Sequence, residues 1–343
     1  MTTRQIRLLA FAVAAVLGGA CAPAPVLEGA NLDALRAVAG DVDGDRAFES
    51  ITALVTAHAD DTPIDCSGLR YDRSPRLCHI SDTLARDWVQ AQFESYGLAV
   101  HRDEALQNNG YISELLYTSN VIAELPGATR PEEIVLVGAH FDANWLGADD
   151  NSSGMATVLE IARVLSTRRF ARTIRFVGFD LEELYLVGSD RYVDTIPNDD
   201  IATALVFDCV AYFSSAPGTQ RTLPGLPSPD SGDFLLTVGN DVSARGVSQV
   251  YALNRELDIM KVVTVSLPRD GTLPFFGEPM MRSDHTPFWL TGRQAVFLTD
   301  TANFRNPYYH TPDDTLDKLD KASFTRVIQL SAAAVAYWAG EPQ

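Results

Sequence analysis

From residue 134 onward the chain repeatedly sets a short, fully apolar run against a longer amphipathic stretch, and this alternation limits its fold more than any other feature. The runs 134–139, 174–179, 204–207, 234–238, 262–265 and 295–298 are too short for helices and lack the polar alternation of a half-solvated strand, so they read as strands buried on both faces. Between them, 152–166 places Met155, Val158, Leu159, Ala162 and Leu165 on one helical face, and 188–194 begins another helix. Phe324, Ile328, Ser331, Val335 and Trp338 mark one face of a C-terminal helix. Strands alternating with helices predict an α/β chain with a largely parallel sheet between helical layers, in which sites form at the carboxyl ends of the strands.

Upstream, 46–58 and 81–96 read as helices. The second carries Leu84, Ala85, Trp88, Val89 and Phe93 on one face, with Ser81 as cap and Gly97 as stop. Residues 111–124 alternate loosely, as strands do. Residues 214–232, with four prolines, read as a loop that either shapes a substrate mouth or decorates the surface. No internal repeat or long linker divides the rest, so 46–343 reads as a single catalytic domain.

The first 20 residues have the character of an export signal: Arg4 and Arg7, an apolar stretch over 8–17, then Gly18, Gly19 and Ala20. Cys21 follows directly, which leaves two outcomes, a lipidated N-terminal cysteine or simple cleavage after Ala20. Residues 21–45, opening on an Ala-Pro-rich segment, read as a spacer. The expected location is therefore periplasmic, outer-membrane-anchored through Cys21, or secreted. In such an oxidising compartment Cys66 and Cys78, flanking a polar segment, are expected to form a disulfide, whereas Cys209 sits in an apolar context as a buried free thiol. The net charge of -18, or -20 after loss of Arg4 and Arg7, argues against nucleic acid and anionic lipid as partners.

The chemistry-bearing residues fall at the ends of the apolar runs. His140 and Asp142 close the first, and Asp142 can orient the imidazole through its second ring nitrogen. Asp149, Asp150 and Asn151 precede a helix, where acidic capping is the plain alternative. Glu182 and Glu183 follow the second run. Adjacent carboxylates there repel unless a cation compensates, and one can bind metal while the other serves as general base with a raised pKa. Asp208 ends the third run, and His310 lies in the loop before the last helix. The order His, Asp, Glu-Glu, Asp, His supplies five metal ligands and a spare carboxylate, a donor set suited to zinc.

These residues resemble a known family. His140 and Asp142 in 138–142, Asp150 and Asn151 in 147–154, Glu182 and Glu183 in 179–183 with Gly188 and Ser189, Ser283-Asp284-His285, and Tyr309-His310-Thr311-Pro312 are similar to the motifs of the co-catalytic zinc aminopeptidases, peptidase family M28. The resemblance covers roughly 80–340. It implies a three-layer α/β/α sandwich around a mixed, mostly parallel sheet of about eight strands, and two Zn2+ per chain. It assigns Asp150 as the bridge, His140 and Asp208 to one ion, and Glu183 and His310 to the other. It makes Glu182 the general base and acid, has Asp142 orient His140, and lets Tyr309 stabilise the oxyanion. It also implies a cis peptide at Asp150–Asn151, a non-ligating role for Asp284 and His285, and a local hydrogen-bonding role for Asp180. The implied substrates are peptides with a free N-terminus.

Two rival readings remain. A single-zinc glutaminyl cyclase has a related fold, but the run 151–154 and the five-residue step from Glu183 to Gly188 favour hydrolysis. A non-catalytic binding module of the same fold would lack ligands or base, and this chain keeps them all.

Overall fold

The computed structural model describes residues 27–60, 62, 81–107, 116–222, 229–268 and 278–340. Three helices come first: α1 (Leu32–Gly40), α2 (Gly44–His58) and α3 (Ser81–Ser95). The alternating region follows, with β1 (Ala99–Gln107), β2 (Leu116–Leu125), β3 (Arg130–His140), α4 (Ser152–Ser166), β4 (Arg172–Phe179), α5 (Val187–Thr195) and β5 (Asp200–Phe207). Then come β6 (Leu235–Asn240), α6 (Ala244–Leu257), β7 (Val262–Leu267), α7 (Thr286–Leu290), β8 (Ala295–Thr299) and α8 (Lys321–Ala339). The apolar runs read from the sequence lie within strands, save Phe234, which just precedes β6, but 262–265 is not buried as expected: β7 is an outer strand with Val262, Val263 and Val265 half-buried and Thr264 exposed.

One eight-stranded sheet forms in the order β1-β2-β4-β3-β5-β8-β6-β7. The central strands β4, β3, β5 and β8 are parallel neighbours. β1 and β2 add an antiparallel edge, and β6 pairs antiparallel with β8 and parallel with β7.

Side chains alternate across the sheet, as a period of two requires. Val135, Val137 and Ala139 of β3 join Phe176, Leu205, Phe207 and Val296 beneath α1, α2, α3, α4, α6 and α8. Ile134 and Leu136 join Val177, Phe179, Ala204 and Phe297 on the other face, covered by Tyr192 and Val193 of α5 and by Phe288 and Trp289 of α7. This is the three-layer α/β/α sandwich.

The spacer expected over 21–45 needs correction in its described part. α1 begins at Leu32, its cap Asn31 accepts the Ala34 N–H, and Leu35 and Val38 are fully buried in the main core. Three elements had no counterpart in the sequence reading: β1, α6 and the five-residue α7, which is too short to show a helical period. β1 is an edge strand with the charged run His101-Arg102-Asp103-Glu104 and no buried residue, so it carries no hydrophobic signature. α6 contains Gly246 and β-branched Val247 and Val250, which dilute helix propensity. The expected disulfide Cys66–Cys78 and the signal with Cys21 lie outside the described residues. No helix among the described residues is long and apolar enough to cross a membrane.

Candidate metal centre

Every sequence-predicted ligand lies at a strand's carboxyl end or in the segment that follows it. β3 ends at His140, β4 leads into the short 3-10 turn Glu182–Leu184, β5 delivers Asp208, and the segment after β8 delivers Tyr309 and His310. The parallel register of the central strands puts these ends side by side.

Asp150 stands in the middle. Its Oδ1 is 3.6 Å from His140 Nε2 and its Oδ2 is 2.9 Å from His310 Nε2. His140 Nε2 also faces Asp208 Oδ1 at 3.9 Å and Glu182 Oε2 at 3.8 Å. His310 Nε2 lies 3.0 Å from Glu183 Oε2. Three donor groups emerge among the described residues: His140 with Asp208 and Glu182, Asp150 with Glu183 and His310, and Asp150 with Asp208 and Cys209. His140 is fully buried and its Nε2 has no hydrogen-bond partner, and neither has the buried Oε1 of Glu183. Ligand atoms about 2.1 Å from a tetrahedral ion sit about 3.4 Å apart. The spacings around His140 Nε2 are near that value and too long for hydrogen bonds, so these residues fit a divalent metal.

The supports are as specific as the ligands. The Asp142 carboxylate accepts the backbone N–H of both Glu182 and Glu183 at 3.1 Å and lies 3.4 Å from His140 Nδ1. His140 Nδ1 is also 3.1 Å from the Asp142 carbonyl. Asn144 Nδ2 donates to Glu183 Oε2 at 2.7 Å. Asn151 caps α4 by accepting the Gly154 N–H, donates to the Phe207 carbonyl and accepts the Cys209 N–H, tying the Asp150 turn to the end of β5. The bond Asp150–Asn151 is cis. His58, at the end of α2, sets its two ring nitrogens against the carbonyls of Phe141 and Leu146 and so grips the loop that carries Asp142.

Sequence reasoning missed Asp314. Its carboxylate accepts the N–H groups of Asp149 and Asp150 at 3.1 to 3.2 Å, fixing the central aspartate from the loop that carries His310. Asp149 is not the cap. It is buried, accepting from Ala211 N and from Asn306 Nδ2. The only signal for Asp314 was an acidic pair after Pro312, which looks like a turn.

Burial and mutual repulsion dominate the electrostatics. Burial, then the charge of Glu183, pushes Asp150 up to about 7. Burial, reinforced by Asp208 and Glu183, holds Glu182 well above the usual carboxylate range. Burial works against protonation of His140, but the negative charges of Glu182 and Asp142 beside it prevail and raise it. Burial likewise opposes protonation of His310, yet hydrogen bonds with Asp150 and Glu183 lift it to about 10. The cluster thus retains protons where a cation would relieve the same repulsion.

Tyr309 stacks on His310 with ring centroids 3.9 Å apart, and burial followed by the charge of Asp150 keeps its phenol protonated. Asp180 accepts the Ser119 N–H. His285 packs flat on Phe297 with Nε2 2.8 Å from the Met280 carbonyl, and burial lowers it to about 4, so it is a neutral packing residue. Asp284 is fully buried and raised to about 7, chiefly by burial. Cys209 is a buried free thiol that donates to Asp208 Oδ1. Beside Asp208 and Tyr309 opens a mostly apolar cleft with Phe234, Leu236, Met280, Phe297 and Phe304 in its walls. Gln220 and Arg221, from the proline-rich loop, border it.

Comparison with known proteins adds to this geometry. The Escherichia coli (strain K12) protein YfbL is 28% identical over 74% of this chain and 80% of its own length. The probable lipoprotein aminopeptidase LpqL of Mycobacterium tuberculosis is 29% identical over 64% of this chain, which spans only 45% of LpqL. Among solved structures, the LapA aminopeptidase of Legionella pneumophila superposes with a TM-score of 0.63 at 19% identity, covering 92% of this chain and 76% of LapA. The glutaminyl cyclase of Porphyromonas gingivalis gives 0.59 at 20% identity, covering 86% of this chain and 98% of the cyclase. At those identities the two structures speak for the fold alone. The family model for peptidase family M28 matches residues 120–335, a span from β2 to α8 that takes in all five ligand candidates. The chain belongs to peptidase family M28.

Proposed function

We propose that this protein is an exported metallo-aminopeptidase that removes N-terminal residues from peptides, using two zinc ions and Glu182 as general base. The observation that carries the reading is that the two oxygens of Asp150 face His140 at 3.6 Å and His310 at 2.9 Å, that Asp150 also shares donor groups with Glu183 and with Asp208, and that Glu182 stands beside His140 and Asp208. Asp150 would bridge, His140 and Asp208 would complete one ion, and Glu183 and His310 the other. Bound zinc supplies Lewis acidity, bringing the pKa of water near neutrality and polarising an amide carbonyl.

The chain's own residues do the rest. Glu182, raised by burial, accepts a proton from the attacking water and passes it to the leaving amine. Asp142 fixes both glutamates by holding their backbone N–H groups and orients His140. The protonated Tyr309 phenol donates to the developing oxyanion. The cavity beside Asp208 and Tyr309 takes the N-terminal side chain, and its walls favour an apolar one.

The test uses zinc-loaded protein and peptides with free, acetylated or N-terminal glutamine ends. Hydrolysis confined to free N-termini is expected. Pyroglutamate formation without hydrolysis would favour the cyclase reading, and inertness toward all three would favour a binding module. In Glu182→Gln, turnover should fall by roughly 10²–10⁴ with metal content intact; undiminished turnover removes Glu182 from the mechanism.

A further inference from the structure

The proline-rich stretch 214–232, which the sequence leaves open between substrate mouth and surface decoration, is tied to the cleft beside Asp208 and Tyr309. Ser214 and Gly232 form an antiparallel bridge at its base. The Gln220 N–H donates to the Asp230 carbonyl at 3.1 Å, and the Arg221 N–H donates to the Phe304 carbonyl at 2.8 Å. The second bond joins the loop to the segment 301–304, which lines the same cleft as Gln220 and Phe234.

That segment is a turn its own backbone disfavours. Thr301 has φ 92° and Ala302 φ 45°, left-handed values that are costly for a residue with a Cβ and most costly for a β-branched one. Such a conformation persists where neighbouring groups over-determine it. Thr299 Oγ1 accepts the Thr301 N–H at 2.9 Å, and Asp300 Oδ1 accepts the Ala302 N–H at 2.8 Å. The third tie is Gln220, only 8% exposed, whose Nε2 donates to Thr301 Oγ1 at 3.0 Å and to the Arg221 carbonyl at 3.1 Å.

Arg305 holds the other end of the Gln220 amide. Its Nε–H donates to Gln220 Oε1 at 2.9 Å. The buried guanidinium lies 4.5 Å from the centroid of the Phe234 ring and 5.3 Å from that of Phe213, so one cation supports both the amide and the aromatic wall. The base of the loop seats directly on it: a Cβ at Gly232 would stand 2.6 Å from Arg305 Cδ. With its oxygen and its NH2 both engaged inside the protein, Gln220 gives the cleft a shape and not a hydrogen-bonding group.

We infer that Gln220 and Arg305 are positioning residues of the side-chain subsite, holding the turn 301–304 and Phe234 as a wall shaped to an apolar N-terminal residue; this rests on the proposed aminopeptidase activity. The probes are leucine hydroxamate and alanine hydroxamate, zinc ligands that need no turnover, titrated calorimetrically into the full zinc-loaded chain. Wild type should bind the leucine compound at least about 10-fold more tightly than the alanine compound. That preference should fall to about 2-fold or less in Gln220→Met, which keeps the volume and loses the hydrogen bonds, and in Gln220→Ala, with zinc content unchanged in each. Arg305→Lys, which keeps the charge and loses the Nε–H, should weaken the preference in the same direction. A wild-type preference in both Gln220 variants would overturn the inference, and one in Arg305→Lys would overturn the part given to Arg305. A wild-type protein that does not discriminate the two probes would overturn the apolar subsite and this inference with it. Preferences as expected in a protein that leaves leucyl peptides intact would overturn the aminopeptidase reading alone.

Discussion

Asp314 shows how a site is held by residues that never touch its chemistry. Its two oxygens take the N–H groups of Asp149 and Asp150, so the Asp150 carboxylate is aimed by the loop that presents His310. An asparagine there keeps one acceptor and turns an NH2 against backbone donors. Asp314→Asn should therefore lower zinc affinity by roughly 10–100-fold, read by competition with a chromogenic chelator; wild-type affinity would show that Asp150 needs no such support. His140, Glu183 and Asp208 were legible because each stands at or close after an apolar run, where burying it has a cost that calls for a reason, whereas Asp150 and His310 were legible only from their order with the others. Asp314, Asn144 and Asn306 were not legible. Their partners are backbone or carboxylate groups brought near only by folding, and in sequence each is an ordinary turn residue.

At the scale of elements, what could be read tracks how much a segment buries. The strands β3, β4, β5 and β8 are almost wholly interior over their apolar runs, and α4 has a continuous buried face. β1 and α6 escaped notice because one is an exposed edge and the other is weak in intrinsic propensity. α1 was mistaken for spacer because the Ala-Pro-rich stretch before it set the expectation, while its short apolar face, Leu35 and Val38, becomes significant only against the other helices of its layer. If α1 is part of the domain, Leu35→Ala should cost about 2–5 kcal/mol by denaturant unfolding. A loss below about 0.5 kcal/mol would return α1 to the status of an appendage.

The whole molecule gathers buried acids at one edge of its sheet, and that makes its stability depend on metal and pH together. Asp150 and Asp284 are raised to about 7 and Asp314 to about 8, burial being the leading cause in each. In the unfolded chain the same groups titrate near ~3.9. Without metal, the folded state holds protons that unfolding releases, so stability falls as pH rises through the folded values. His285, lowered to about 4 by burial, acts in the opposite sense: its contribution is complete above the unfolded histidine value and fades as pH falls toward 4. Between about pH 6.5 and 8.5 the raised carboxylates, together with the raised His140 and His310, set the slope, all in the same direction. Chelated protein should lose several degrees of Tm across that interval, and zinc should flatten the loss. A chelated Tm that stays level or climbs would contradict this balance.

The central claim is that one aspartate, Asp150, joins two cation sites, and metal counting tests it most directly. Zinc-loaded wild-type protein, dialysed and measured by atomic emission, should hold two equivalents per chain, and His310→Ala should hold one. One equivalent or none in the wild type would contradict the account.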